Sequence, residues 1–444
     1  MKKTVFICFC LFYTASLYSQ TNYRTKIDLE RFIEELFPVQ SGDVSAEELY
    51  ETLLLFYTNP INLNTTNREE LRSLFILSEK QINSFFQYKQ AYGQLLSIYE
   101  LQVIPDFNLA IIQKLLPFVE VRETSLQKDN RPLLKRILEE ENNFLLLRYE
   151  RTLEERRGYS PRQDSSDARY LGSPDKYYAR LRITHRNDFS VGFTVEKDAG
   201  EQFNWKPENE QYGADFYSGH IQVQNQGVVK NFIIGDYQLQ FGQSLLLGAG
   251  FNVGKGAETI TTVRRSNIGI RPYTSVVETN FFRGIAATFE INKNIELPSN
   301  YSCLRQDANQ RSDTTERLDI ISSIQQSGFH RTENELMNKD AISEQNFGST
   351  LRYTSGNNRL SIGSTFIHTT FSENIRRSER DYNQFEFEGN QNINFGIFGD
   401  YSWRNVNLFG EVARSKSGGF GGVFGAITNL TAKLESTIAI RNYQ

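Results

Sequence analysis

The chain has 444 residues, 39 % hydrophobic and 13 % aromatic, with a mean hydropathy of −0.49 and a formal net charge of −4. That length predicts more than one core. The first few positions aside, no apolar run near ~20 residues occurs, which excludes a helical membrane protein, and the charge gives no global pull towards nucleic acid or anionic lipid. A transmembrane barrel stays open, because strands with alternating lipid-facing and lumen-facing side chains keep mean hydropathy low. The 33 Phe and 22 Tyr beside ten Pro suit pleated strands.

Residues 1–20 read as an export signal: Lys2 and Lys3 supply the charge, Val5 to Leu11 the apolar stretch and Ala15 to Gln20 the cleavage region. Cys8 and Cys10 lie inside the apolar stretch rather than at its end, which argues against a lipid-anchored cysteine. With the signal removed Cys303 stands alone, so packing and strand pairing rather than disulfides hold the protein together.

Residues 21–60 predict a helical spacer. Leu29, Phe32, Ile33, Leu36 and Phe37 recur three and four apart until Pro38; Ser45 with Glu48 then forms a capping box before Leu49, Leu53, Leu54, Phe56 and Tyr57. Residues 61–120 are denser. A polar cap precedes Leu71, Leu74 and Phe75; a break at Ile76-Leu77-Ser78 leads into a helix from Glu79 that carries Ile82, Phe85, Phe86 and Tyr88. Gly93 ends that helix as a left-handed C-cap. The unit repeats in shorter form: Ser97 to Leu101, a break at Pro105-Asp106-Phe107, and Leu109 to Leu116.

Asn62-Leu63-Asn64-Thr65, Glu70-Leu71, Tyr88-Lys89, Tyr92-Gly93 and Ser97-Ile98-Tyr99-Glu100-Leu101 together resemble the tandem helix-hairpin-helix domain of periplasmic competence proteins of the ComEA type. The resemblance implies sequence-independent contact with double-stranded DNA, through backbone N–H groups at hairpin turns and helix N-termini. Ser78, Lys80 and Lys89 are the candidate contacts. Neither hairpin carries the family's glycines, however, and Asp106 puts a negative charge where a phosphate would come. Across 61–119 the charges balance, whereas duplex affinity rests on neutralised phosphates. A module that binds an envelope protein or plugs a barrel mouth is the alternative.

Residues 121–141 read as a linker. From 142 to 444 the period is two. Phe189, Val191, Phe193 and Val195 alternate with polar residues, as do stretches at 180–185, 219–224, 360–368, 393–397 and 406–412. Polar gaps are predicted at 154–170, 298–315 and 373–383. Aromatic residues at Tyr177-Tyr178, Phe216-Tyr217, Phe281-Phe282 and Tyr401/Trp403 suggest an interfacial girdle. Periodicity alone establishes only β-structure; the Gly, Ser, Thr, Arg and Glu of the polar face favour an antiparallel transmembrane β-barrel over a sandwich. Gly235 to Gln243, Gly254-Lys255-Gly256, Ile270 to Ser275, Phe281 to Gly284 and Ser327 to Thr332 resemble the barrel of Bacteroidetes outer-membrane proteins that carry an N-terminal helix-hairpin-helix domain. The resemblance implies location in the outer membrane with the helical domain in the periplasm. Since the pattern stops in mid-strand at Gln444, an incomplete barrel is expected.

Motifs for chemistry are scarce. Gly248 to Gly256 fails both the dinucleotide and the Walker patterns and suits a strand bend or an inward-folded loop. His185, His220, His330 and His368 lie far apart without Cys or carboxylates at ligand spacing, so no metal is expected and no cofactor either. His220 lacks the Ser two residues on that barrel phospholipases use, and Glu139-Glu140-Glu141 reads as a solvated helix end. Arg264, Arg265, Arg271 and Arg283 are candidates to line a lumen; the alternative is pairing with Glu258, Glu278 and Glu290. The expectation is therefore a non-enzymatic outer-membrane barrel whose helical module handles DNA, or else a structural or channel protein whose module binds protein or occludes the barrel.

Overall fold

The computed structural model describes residues 27–36, 46–122, 131–160, 169–206, 211–248, 263–313, 318–377, 386–431 and 434–443. The export signal, the Ser45 cap, Glu258 and most of the stretch from Gly248 to Gly256 lie outside them.

Helices α1 (Leu29–Leu36) and α2 (Ala46–Thr58) lead into β1 (Ile61–Asn62), α3 (Arg68–Arg72), α4 (Glu79–Tyr92), a 3-10 turn at Ile98–Val103, α5 (Leu109–Leu115) and β2 (Val119–Glu120). Short polar side chains start four of these turns by accepting an orphan backbone N–H: Asn67, Ser78, Ser97 and Asn108. Glu70, Gln81 and Glu100 complete capping boxes with the first three. Gly93 ends α4 as expected, but at φ 88° and ψ −145°, outside the left-handed helical region. Leu53, Ile61, Leu71, Leu74, Ile82, Phe85, Leu101 and Leu115 form one core. Leu29 and Ile33 of α1 join it, so the stretch expected as a spacer packs onto the repeats instead of standing apart. Parallel pairing of Ile61 with Val119 ties the ends of the unit together.

The expected linker contains a short helix, α6 (Leu133–Leu138). Arg136 pairs with Asp188, and Glu140 with His185 at 2.8 Å, so this stretch is tied to the sheet and Glu140 is more than a solvated helix end.

The remainder is β3 (Asn143–Arg151), β4 (Asp175–His185), β5 (Phe189–Lys197), β6 (Asn204–Lys206), β7 (Gln211–Gly213), β8 (Phe216–Gln226), β9 (Val229–Gln240), β10 (Gly269–Pro272), β11 (Phe282–Asn292), β12 (Ile295–Gln306), β13 (Ala308–Asp313), β14 (Leu318–Ile324), helix α7 (Glu333–Met337), β15 (Ile342–Thr354), β16 (Leu360–Ile375), β17 (Gly389–Trp403), β18 (Val406–Ser415), β19 (Phe420–Thr431) and β20 (Leu434–Tyr443). Sixteen of these strands make one sheet, running from β20 to β3 with β10, β13 and β14 off its main path. Among the described residues, β3 pairs only with β4 and β20 only with β19. Connections at one end are short (186–188, 227–228, 293–294, 355–359 and 404–405); at the other they run long, as at 152–174, 241–281 and 307–341.

Two of the predicted gaps hold strand. β12 and β13 fill most of 298–315, and β16 continues to Ile375. Pro298 stays opposite Thr288 on β11, while on the other side the register skips from Glu296/Arg352 to Ser299/Ser349. A missing N–H interrupts one ladder and leaves the other intact.

The partition of side chains is the reverse of a soluble sheet's. Ile183, Val191, Ile221, Ile234, Ile285, Tyr301 and Phe347 are successive cross-strand neighbours on the outer face. One residue earlier or later, Arg182, Gly192, His220, Gly235, Gly284, Ser302 and Asn346 line the inner face. On β5, Phe193 is 51 % exposed and Thr194 only 4 %. Adjacent strand residues point to opposite faces, which also corrects the expected girdle. Tyr177, Tyr401 and Trp403 are exposed, but Tyr178, Phe216 and Phe281 are buried, the last two in a cluster with Tyr273.

Candidate functional site

The concave face is crossed by the β9–β11 connection. Gly235 on β9 has φ 105°, and a Cβ there would stand 2.1 Å from the Gly219 carbonyl oxygen. Only glycine permits that close approach of β8 in that conformation. Beyond it, Leu239, Phe241, Leu247 and Ile270 pack against Ile367 of β16 and Phe398 of β17. Glu411 of β18 accepts the N–H groups of Gln243 (2.6 Å) and Leu245 (3.0 Å), which anchors the crossing. The described parts of the connection, 241–248 and 263–281, lie on this face, whereas the glycine-bearing stretch read as a strand bend or an inward-folded loop falls, Gly248 apart, outside the described residues.

At the short-turn end the crossing segment meets the helices. Arg264 donates to Glu69 of α3 (3.0 Å) and, through Nε, to Asp400 of β17 (2.6 Å). The Asn267 N–H also reaches Glu69, at 2.8 Å. Arg72 pairs with Glu69 and Glu79 and lies 3.7 Å from Asp400. Arg68, Arg72 and Arg264 thus face Glu69, Glu79 and Asp400, a balanced and almost fully enclosed set. Burial opposes the charge on Glu69, yet Arg264 and Arg72 outweigh it and hold the carboxyl well below the usual carboxylate range. Around this set, Arg186 in the β4–β5 turn donates to the carbonyls of Asn59 (3.1 Å) and Pro60 (2.7 Å), and Asn83 donates to the Arg404 carbonyl.

The arginines expected to line a lumen therefore diverge. Among the described residues Arg264 makes ion pairs with Glu69 and Asp400, whereas Glu258 lies outside them. The Arg265 N–H donates to Gln243 and the Arg271 side chain to Gln238. Arg283 pairs with Asp236 beside the long-loop cavity. No linear pattern announces the Asp400 and Glu69 partners, which stand 136 and 195 residues away.

The three residues expected to touch DNA each have local partners. Ser78 caps α4. Lys80 pairs with Asp106, which also accepts from Ser84 at 2.9 Å. Lys89 donates to the carbonyls of Leu63 (2.9 Å) and Asn64 (3.0 Å), and burial pulls its pKa down.

At the long-loop end a cavity of about 1000 Å³ opens, lined among others by Tyr217, Phe282, Arg283, Asp307 and Lys339. In its wall the fold gathers His330 with Asp215 and Asp307, and with Glu201, whose carboxylate accepts the His330 N–H at 3.0 Å. The wide spacing of histidines in the chain conceals this grouping. Burial opposes protonation of His330, but the hydrogen bonds its ring donates to Asp215 and Asp307 raise its pKa to about 10. Burial first, then Asp215, pushes Glu278 up to about 9 and Glu201 to about 7.

The serine absent from the sequence neighbourhood of His220 comes from the adjoining strand: Ser190 Oγ lies 3.0 Å from His220 Nε2. Both are buried, and the adjoining cavity holds about 10 Å³, less than a substrate needs. Gly192 is required there because a Cβ would meet the His220 ring at 2.4 Å.

No protein-family model and no curated protein matches the chain. Solved structures to which it is similar include a KdgM porin in complex with disordered oligogalacturonate (7 % identity over 61 % of this chain and 84 % of that one, TM-score 0.20). Others are a loop-deletion mutant of OmpT, an outer membrane protein of Vibrio cholerae (11 %, 68 % and 91 %, 0.26), and an anion-selective porin from Comamonas acidovorans (13 %, 63 % and 80 %, 0.24). At such scores the likeness carries no weight beside the chain's own geometry.

Proposed function

We propose that the chain is a non-enzymatic outer-membrane β-barrel protein of the channel class, closed at its periplasmic end by a helix-hairpin-helix module. The inverted partition of side chains carries this reading. An outer face of Ile, Val, Phe and Tyr over an inner face of Arg, His, Ser, Asn and Gly suits hydrocarbon outside and water inside. In water each such exposed side chain forgoes about 1.5–3 kcal/mol of burial. Short connections at one end and long ones at the other fit the periplasmic and external sides of such barrels.

Closure is supported by the ion-paired contact of α3 with Arg264 and Asp400 and by the segment crossing the lumen. A docked, charge-balanced module favours occlusion over DNA handling, since Lys80 and Lys89 already have protein partners.

The test is export of the chain with its signal, extraction and reconstitution in planar bilayers. We expect it to need detergent, to migrate faster before heating than after, and to conduct poorly. Recovery as a soluble periplasmic monomer would overturn the membrane reading. Duplex DNA added at low salt is expected not to bind; binding weakened by Lys80→Glu and Lys89→Glu would restore the DNA reading.

A further inference from the structure

The charge cluster in the wall of the long-loop cavity plays no part in closing the barrel. Glu201 and Asp215 come from the connection 198–215, Glu278 from 241–281, and Asp307, His330 and Lys339 from 307–341. Glu201, Asp215 and His330 each offer a ligand atom, and these atoms lie within 4.8 Å of one another. Four carboxyl groups thus stand around one ammonium and one imidazole. Lys339 is engaged by Asp215 at 2.6 Å. Glu278 lines the same cavity, with Gly328 packed against its stem, and among the described residues its carboxylate makes no hydrogen bond or ion pair.

We propose that His330, Glu201 and Asp215 form a binding site for a divalent cation of the Zn²⁺ class, which clasps the long connections together at the cavity wall. An imidazole nitrogen with carboxylate oxygens is a donor set for Zn²⁺ ahead of Mg²⁺ or Ca²⁺, which take oxygen ligands alone. Asp307 accepts from His330 Nε2 at 2.7 Å. That bond fixes the tautomer that leaves the Nδ1 lone pair facing Asp215 and Glu201, as the outer carboxylate does in histidine-ligated zinc sites. Binding releases the Nδ1 proton of His330 to solvent and breaks its bond to Asp215, whose freed oxygen turns to the ion.

The experiment uses the full chain, folded in detergent and stripped with chelator, titrated with Co²⁺ and then Zn²⁺. We expect one equivalent of Co²⁺ to give visible ligand-field absorption, which Zn²⁺ abolishes. His330→Ala and Glu201→Gln should abolish saturable binding, Asp307→Asn should weaken it roughly 10–100-fold, and Glu344→Gln, elsewhere on the same cavity, should leave it unchanged. Zn²⁺ should also slow proteolysis of the long connections, reversed by chelator. Mobility before heating reports whether each variant is folded; if His330→Ala fails to fold, Glu201→Gln and Asp307→Asn decide. Absence of saturable binding, binding unaffected by these variants, or tighter binding of Ca²⁺ or Mg²⁺ would overturn the site, while the bilayer behaviour of the barrel would stand.

Discussion

Asn64 is buried between two stretches of backbone. Its Nδ2 donates to the carbonyls of Leu95 (2.9 Å) and Arg122 (3.1 Å), and its Oδ1 accepts the Leu95 N–H at 2.8 Å. One amide thus joins the segment after β1 to the residues before the 3-10 turn and to those after β2. Asn64→Ala would leave the Leu95 groups unpaired away from water, a loss of about 2 kcal/mol. Hydrogen exchange across 61–120 in the full chain should show faster opening there and unchanged protection in β15 to β18. The Asn-x-Asn pattern was legible in the sequence, though only as a family mark; its physical task is visible once Leu95 and Arg122 are beside it. Phe75 (φ 56°) and Asp106 (φ 72°) teach the complementary lesson. The breaks before α4 and α5 lack glycine, yet adopt positive φ with ordinary residues, the core holding Phe75 and Asp106 pairing with Lys80.

Among the elements, β9 determines what crosses the inner face of the sheet. Its pairing with β8 ends at Gly235, and beyond the strand apolar side chains meet β16 and β17 and backbone amides meet Glu411. Gly235→Val would combine an unfavourable φ with a clash against the backbone of β8, so the heat-modifiable folded form should be largely lost on unheated gels. Gly399→Ala is the contrasting substitution, because its nearest neighbour stands at 3.8 Å, and it should fold normally. Strand positions such as Phe189–Val195 were readable from the two-residue period. β12 was hidden because Pro298 and a polar run imitate a loop, and pairing with β11 and β15 overrides that local signal.

For the whole molecule, the joint between helices and sheet is the mechanical question. Removing one member of an enclosed ion-pair set leaves the others uncompensated, so Glu69→Arg or Arg264→Glu should loosen the module and raise bilayer conductance, and the double exchange should restore closure in part. Acidity acts on the same joint. Glu69 titrates below its unfolded value, about 4.3, so its contribution is fully present above that pH and is lost only as pH falls through the depressed folded value. Conductance should therefore stay low from pH 8 to pH 5 and rise only in stronger acid; opening between pH 7 and 5 would count against this role for Glu69.

Local signals in the chain were enough to place the helices of 61–120 and many of the alternating strands beyond 142, because capping and periodicity are written within a few neighbouring residues. Only the tertiary structure decided which polar residues meet. Arg264 with Glu69 and Asp400, Ser190 with His220, and His330 with Glu201, Asp215 and Asp307 are joined by register and by the curl of the sheet, and no short-range pattern encodes contacts across such separations.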